Sequence, residues 1–362
     1  MNIGIPKERR PFEFRVGLPP AGVELLTSRK HKVYIEHDAG MGAGFSDQEY
    51  EKAGATIVYS GEEVFGRADL VLKVARPTEE ELEWIRPGSA LAGLLHLASA
   101  RQDKIEILLQ KKVTAIAYEQ IQLADGSLPV LRPFSQIGGT LAGQIAARLL
   151  QNNWGGKGIL LSGVPGVPPA EVGILGAGVV GTYATQSFIG QGAHVTVLDK
   201  DIEALRRIQD RFPGIVTLLS TRRNIERVLS YVDVLVGAVL VPGERAPILV
   251  TREMVRSMKP RSVILDLSID EGGCVETSRP TTHESPAYVE EGVLHYCVPN
   301  MPGITARTSV HAFFNVAMPY ILELTDKGID VALANNPHLA LAVNTYAGQV
   351  RHLHRLTDGK ER

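Results

Sequence analysis

The sequence holds few of the residues on which several classes of protein depend. It has two cysteines in 362 residues, Cys274 and Cys297, and neither sits in a Cys-x-x-Cys pair or beside a histidine cluster. That excludes a disulfide-stapled scaffold, gives no support to a bound metal, and suits a reducing compartment. Charge of neither sign dominates: 38 Lys and Arg stand against 40 Asp and Glu, a formal net charge of -2. A nucleic-acid binder normally carries a basic excess on some face, so that class is set aside. No apolar run approaches the ~20 residues that span a bilayer. The opening residues, Met1-Asn2-Ile3-Gly4-Ile5-Pro6-Lys7, have no basic-then-apolar leader profile. A cytoplasmic protein with no membrane partner is expected. There is no internal repeat and no low-complexity segment.

What is present is an ordinary globular composition, 44% hydrophobic and 22% charged. The length suffices for two domains of ~100–200 residues each. Short apolar runs alternate with helical patterns. Strands are expected at 2–6, 32–37, 69–74, 90–95 and 114–118. One helix should open at Pro19-Pro20, another at the capping box Ser46-Asp47-Gln48-Glu49, and a third, acidic one at Thr78. This rhythm predicts βαβ units and a mainly parallel sheet. A Gly/Pro-dense stretch over 155–169 reads as a loop or a domain edge. A second α/β series follows, with strands at 171–175, 194–198, 215–219, 233–239, 262–267 and 293–298. Beyond Pro302-Gly303 a long apolar helix is expected over 305–324, interrupted at Pro319.

The clearest motif lies at the head of the second series. Gly176-Ala177-Gly178-Val179-Val180-Gly181 puts G-x-G-x-x-G between an apolar strand and a helical pattern, the context in which it signals dinucleotide binding. Gly176 permits a tight turn, Gly178 lets the backbone approach a pyrophosphate, and Gly181 lets helix pack on strand. The helix N-terminus then offers amide donors and a positive dipole end to the phosphates. The next strand ends at Asp199, where an acid holds a ribose diol and repels a 2′-phosphate. The motif predicts NAD rather than NADP.

Scattered segments carry a resemblance as well. They are Gly4-Ile5-Pro6-Lys7-Glu8, Phe14-Arg15-Val16, Leu72-Lys73-Val74, Leu95-His96-Leu97-Ala98, Ala117-Tyr118-Glu119, Gly163-Val164-Pro165-Gly166-Val167, Gly237-Ala238-Val239-Leu240-Val241-Pro242-Gly243, Ile269-Asp270-Glu271-Gly272-Gly273-Cys274 and Asn300-Met301-Pro302-Gly303. Taken together and in this order, the chain resembles the alanine dehydrogenases and, more distantly, the NAD-binding subunit of proton-pumping transhydrogenases. The resemblance implies two Rossmann-like α/β domains with parallel sheets. A cofactor domain, 129–304, would be inserted into a discontinuous substrate domain made of 1–128 and 305–362, with the active site in the cleft. It also implies a homohexamer acting on a small amino acid or 2-oxo acid.

Oxidative deamination needs a carboxylate anchor, a route for the hydride, and acid/base groups for the amine and for water. Arg15 suits the anchor because a guanidinium grips a carboxylate bidentately; alone it would read as a surface arginine, and the Phe-Arg-Val match makes it the family's substrate arginine. Lys73 is a lysine inside an apolar strand, where an unpaired ammonium is costly. By resemblance it binds the substrate carboxylate or oxo group. A lone histidine such as His96 is more often a satisfied core residue; the Leu-His-Leu-Ala match makes it the general acid/base, for which imidazole is suited near neutrality. Asp270 would merely cap a Gly-Gly turn, but the resemblance has it orient water or the substrate nitrogen. Asp266 reads as structural. Further cofactor positions implied by resemblance are Ser135 and Ser220 on the pyrophosphate or adenine side, Val239 and Leu240 beside the adenosine, and Asn300 and Met301 beside the nicotinamide.

Some positions depart from the family pattern. Gln136 and Thr140 replace a charged pair, Leu94 stands where an aromatic is frequent, and Glu271 stands where Gln is usual. Arg76 is also unusual. These keep two other readings open: the same chemistry on another small amino or imino acid, and a transhydrogenase-type nucleotide-binding subunit.

Overall fold

In the computed structural model, which describes residues 1–241 and 245–353, the apolar runs become strands covered on both faces. Such strands lack polar alternation because side chains on either face enter a core. Along the strand Val234–Gly237, Val234 and Val236 join one core cluster and Leu235 joins another. The chain divides into two units, Met1–Phe134 with Pro302–Arg362, and Ser135–Met301. Pro242 and Gly243 of one matching segment, and the last nine positions of the expected 305–362 segment, lie outside the described residues.

Among the described residues the first unit carries an eight-stranded sheet. Its first six strands are β1 (Asn2–Ile5), β2 (Lys32–Glu36), β3 (Thr56–Val58), β4 (Leu70–Ala75), β5 (Ala90–Leu94) and β6 (Thr114–Ala117). They pair in parallel in the order β3-β2-β1-β4-β5-β6. Val343–Tyr346 then returns antiparallel to β6. Ile3, Ile5, Leu70, Leu72 and Val74 share a core cluster with Phe313, Ala317, Ile321 and Leu324 of the helix Ala306–Lys327.

The second unit carries, among the described residues, seven strands: β7 (Glu171–Leu175), β8 (His194–Asp199), β9 (Val216–Leu219), β10 (Val234–Gly237), β11 (Val263–Asp266), β12 (Ala287–Glu290) and β13 (Val293–Tyr296). The sheet order is β12-β13-β11-β10-β7-β8-β9, parallel except for β12. In both sheets the chain starts in the middle, winds one way for three strands, then reverses. This is the doubly wound order, whose reversal opens a crevice at the carboxyl ends of the two central strands. The reversal lies between β1 and β4 in one unit and between β7 and β10 in the other.

Three points differ from the sequence reading. The C-terminal helix is not interrupted: it runs from Ala306 to Lys327 with Pro319 inside. An interior proline costs ~3 kcal/mol. Five side chains around it, Phe313, Ala317, Met318, Ile321 and Leu324, are buried, and the larger ones contribute ~1.5–3 kcal/mol apiece, so packing outweighs the proline. The strand expected at 262–267 stops at Asp266, so Asp270 lies beyond it, in the 3-10 turn Ile269–Glu271. The third is a helix with no counterpart in the sequence reading, Arg132–Leu149. Gly138, Gly139 and Gly143 disguise it. A Cβ on Gly139 would sit 2.3 Å from the Val180 carbonyl oxygen, and one on Gly143 2.4 Å from Ser187 Oγ. These glycines let the helix close onto Val179–Gly190.

Candidate active site

In the second unit the glycine turn is built as its spacing implies. Gly176 follows β7 with φ +107, and a Cβ there would lie 2.3 Å from the Ala238 carbonyl oxygen. A Cβ on Gly181 would meet the Gly176 carbonyl oxygen at 1.8 Å, so helix and turn touch backbone to backbone. Gly178 differs: nothing lies within 4 Å of its Cβ position. It is the N-cap of the helix Val179–Gly190, whose first-turn amides, those of Val179, Val180 and Gly181 among them, have no intrahelical acceptor by construction. Open space before a helix N-terminus, lined by backbone amides, fits a pyrophosphate.

Asp199, the last residue of β8, turns its carboxylate back onto this turn. Its Oδ2 accepts from the Ala177 amide at 2.6 Å, and its Oδ1 accepts from the Asp201 amide at 2.9 Å. Its carbonyl oxygen accepts from the Ser220 amide at 2.9 Å, just past β9. Asp199 is half-buried, so it braces the turn and still borders solvent. Val239, past β10, donates its amide to Ser268 Oγ at 2.9 Å, and Leu240 is exposed. Asp270 and Asn300 are brought together, the Asn300 amide lying 3.4 Å from Asp270 Oδ2. Both are exposed, whereas Met301 is buried. Ser135 is half-buried near the start of the helix Arg132–Leu149.

In the first unit Lys73 lies in the second half of β4 and Arg15 in the loop that follows β1. Lys73 is 1% exposed. Its Nζ lies 2.7 Å from Glu81 Oε1 and 3.0 Å from Glu8 Oε2. Burial lowers the pKa of the Lys73 ammonium, but the two carboxylates outweigh it and hold the group above the ordinary lysine range. Burial pushes the Glu8 carboxyl up, and Lys73 offsets only part of this. Both acids have a second task. Glu8 Oε1 accepts from the Val74 amide at 2.6 Å, and Glu81 completes the capping box of the helix Glu79–Trp84 with Thr78. Arg15 is also buried, and its Nε and Nη2 fork onto Glu13 at 2.6 and 2.5 Å. Its guanidinium lies 5.1 Å from the centre of the Phe134 ring. The Arg15 segment runs against β4, since a Cβ on Gly17 would sit 2.3 Å from the Leu72 carbonyl oxygen.

His96 follows β5 in the left-handed region, with φ 43 and ψ 42. For a residue other than glycine that conformation costs ~1–2 kcal/mol. The buried carboxylate of Glu119, just past β6, holds it there. Oε1 accepts from the His96 amide at 2.6 Å and Oε2 from the Leu95 amide at 3.1 Å. The His96 carbonyl oxygen receives Arg76 Nη1 at 3.4 Å and Ser99 Oγ at 3.1 Å. The ring is half-buried and has no hydrogen-bonding partner among the described residues.

Sequence reasoning gave no part to Glu8, Glu13, Glu81 or Glu119. Two signals were available: Glu81 completes a Thr-x-x-Glu capping pattern, and Glu119 is a charge placed directly after an apolar strand. Of the departing positions, Leu94 joins the core cluster that contains Tyr118 and Phe134. Gln136 Nε2 donates to the Tyr183 hydroxyl at 2.9 Å, and Thr140 Oγ1 donates to the Gln136 carbonyl at 2.9 Å. Asp266 is structural: it accepts from the amides of Ser268, Cys274 and Val275.

Comparison with known proteins agrees along nearly the whole chain. Residues 4–138 match the model of the alanine dehydrogenase/PNT N-terminal domain, and residues 142–353 that of its C-terminal domain. The alanine dehydrogenase of Methanococcus maripaludis is 48% identical over 97% of this chain and 94% of its own length. That of Geobacillus stearothermophilus is 47% identical with the same coverage. Among solved structures, an L-alanine dehydrogenase at 44% identity superposes with a TM-score of 0.93, covering 97% of each chain. A transhydrogenase from Sinorhizobium meliloti at 26% identity gives 0.83, over 97% of this chain and 100% of its own. Two domain models that together span the sequence, and relatives near half identity over almost all of it, leave one conclusion: the chain belongs to the alanine dehydrogenase/PNT family.

Proposed function

We propose that the chain catalyses the reversible oxidative deamination of L-alanine: L-alanine, NAD and water give pyruvate, ammonia and NADH. One observation carries this reading. Arg15 lies in the loop that follows β1, Lys73 in the second half of β4 and His96 just past β5, while the Gly176–Gly181 turn, Asp199 and Asp270 stand at or just past the carboxyl ends of β7, β8 and β11. These are the positions at which doubly wound sheets bind ligands. The choice of alanine follows the names of relatives up to 48% identical.

The open space above Gly178 and the diol-sized acceptor Asp199 fit a dinucleotide. Ala177, Val179 and Val180 line the turn; Ser135 and Ser220 would hold the pyrophosphate and adenine side, Val239 and Leu240 the adenosine, and Asn300 and Met301 the nicotinamide. A dinucleotide held there would supply the acceptor for the hydride of the substrate Cα. Arg15 and Lys73 hold the substrate carboxylate. Lys73 stays protonated between Glu8 and Glu81, so it acts as a fixed positive charge rather than a nucleophile. Once the substrate ammonium has lost a proton to solvent, loss of hydride leaves an iminium. His96 takes a proton from the attacking water and returns it to the nitrogen of the carbinolamine so formed, which collapses to pyruvate and ammonia as its hydroxyl proton passes to solvent, and Asp270 orients that water or the substrate nitrogen. The domain roles follow: 1–128 with 305–362 handles substrate, and 129–304 handles cofactor.

Among the described residues no helix is long and apolar enough to cross a membrane, and we place the enzyme in the cytoplasm as a homohexamer. The test is NAD reduction by the purified chain with L-alanine and no second protein. Turnover is expected. NADH binding without turnover on any amino acid would favour the nucleotide-binding-subunit reading instead.

A further inference from the structure

From the geometry at the ends of β5 and β6 we infer that Glu119 is a positioning residue, whose carboxylate aims the His96 imidazole by clamping the Leu95 and His96 amides. The inference rests on the acid/base reading of His96. Glu119 follows β6 and His96 follows the neighbouring β5, so the carboxylate spans two adjacent strand ends. It is 9% exposed, and both oxygens are engaged, at 2.6 and 3.1 Å. Two consecutive amides converging on one carboxylate require a sharp turn, and His96 makes it at φ 43, ψ 42.

The direction of Cα–Cβ follows from φ and ψ. A relaxation of His96 toward the extended region would therefore swing the imidazole away from its present line. Arg76 and Ser99 hold the His96 carbonyl from the other side, and among the described residues Glu119 alone holds its amide. A fixed turn of this kind suits an acid/base group better than a flexible one, because proton transfer demands placement within hydrogen-bond reach. Displacement of a reacting group by 1 Å costs about 100-fold in rate.

The experiment compares Glu119→Gln, His96→Ala and the double variant in L-alanine oxidation, together with NADH affinity and thermal midpoint. Gln keeps the shape but turns an NH2 toward one of the two amides, so the clamp opens on one side. In Glu119→Gln, kcat is expected to fall about 100-fold, with KM for alanine and NADH affinity within about twofold. A merely structural residue would lower the midpoint and leave that kcat-against-KM split unmoved. Added to His96→Ala, the Gln change should slow the residual rate no further, because both act through one imidazole. Should the Gln variant fail to fold, Glu119→Asp is read by the same criteria; it keeps the charge and is too short to reach both amides. A kcat near wild type beside an inactive His96→Ala variant overturns the inference alone, as does a full additional loss in the double variant. Near-normal turnover in His96→Ala overturns the acid/base reading and this inference with it.

Discussion

Lys73 shows at the scale of one residue how a buried charge depends on its neighbours. Its ammonium is buried between Glu8 and Glu81, and both acids hold backbone as well. Removing one partner of a buried ion pair leaves uncompensated charge, at about 3–5 kcal/mol. Lys73→Ala should lose about that much in urea denaturation, apart from any effect on turnover. A loss within the ±0.5 kcal/mol typical of surface changes would show that these carboxylates do not depend on it. Asp199 carries two tasks of another kind, bracing the Ala177 amide and facing solvent. Asp199→Ser should lower the preference for NAD over NADP by tenfold or more, since a hydrogen bond to a charged group contributes ~1.5–3 kcal/mol. The check is kcat/KM with each cofactor; equal wild-type use of both would remove Asp199 from the ribose.

At the scale of elements, the glycine turn separates fold from function. Gly178 has open space before it and an ordinary φ of -73, so Gly178→Ala should leave the unfolding midpoint unchanged and weaken NADH binding tenfold or more, about 1.4 kcal/mol. Gly181→Ala forces a Cβ against the Gly176 carbonyl and should lower stability itself, by ~1–3 kcal/mol. Equal destabilisation by the two would mean that the space above Gly178 is not a binding space. A second element-level device is Glu291, in the turn between β12 and β13. Hydrogen bonds from Arg256 and Arg252, one helical turn apart, lower its carboxyl to about 2 from the ordinary 4.5. Above pH 4.5 the carboxylate is ionised folded or unfolded, and its contribution is complete. As pH falls from there toward about 2 the unfolded chain takes up a proton that the folded chain refuses, so the contribution is lost. Protection of the β12–β13 hairpin from hydrogen exchange, taken relative to the intrinsic rate at each pH, should therefore fall over that window in the wild type, and Glu291→Gln should weaken that pH dependence. The strands were legible because their apolar runs are short and punctuated. Where glycine serves close helix packing, as in Arg132–Leu149, punctuation misleads; where a core overrides a proline, as at Pro319, a break is expected that does not form.

For the whole molecule the question is which amino acid is turned over. The candidate residues Arg15, Lys73, His96 and Asp270 are all assigned to the reacting carbon's own groups, and none remains to pair with a charged side chain. An apolar pocket discriminates by only ~1–3 kcal/mol per methylene. Specificity constants should therefore rank alanine first, glycine and 2-aminobutyrate lower but measurable, and lysine far below. A preference for lysine would sink the alanine reading and leave the hydride chemistry. Leu94, which departs from the family, is buried in the core cluster of the first unit, so its smaller side chain is first of all a matter of packing.

Resemblance to a family singled out the charged residues near strand ends; the linear chain by itself determined the two α/β series, the glycine turn and the acid at the end of β8. These last three are local: they follow from periodicity, capping and spacing over a few residues. Only the tertiary structure decided that both sheets reverse their winding between β1 and β4 and between β7 and β10, which collects residues far apart in sequence at shared strand ends. It also decided that Lys73 meets Glu8 and Glu81, that Arg15 forks onto Glu13, and that Glu119 holds the backbone of His96. The physical reason is that burial creates these pairings: in water each charged group is satisfied alone, and it acquires an obligatory partner only where folding removes the water.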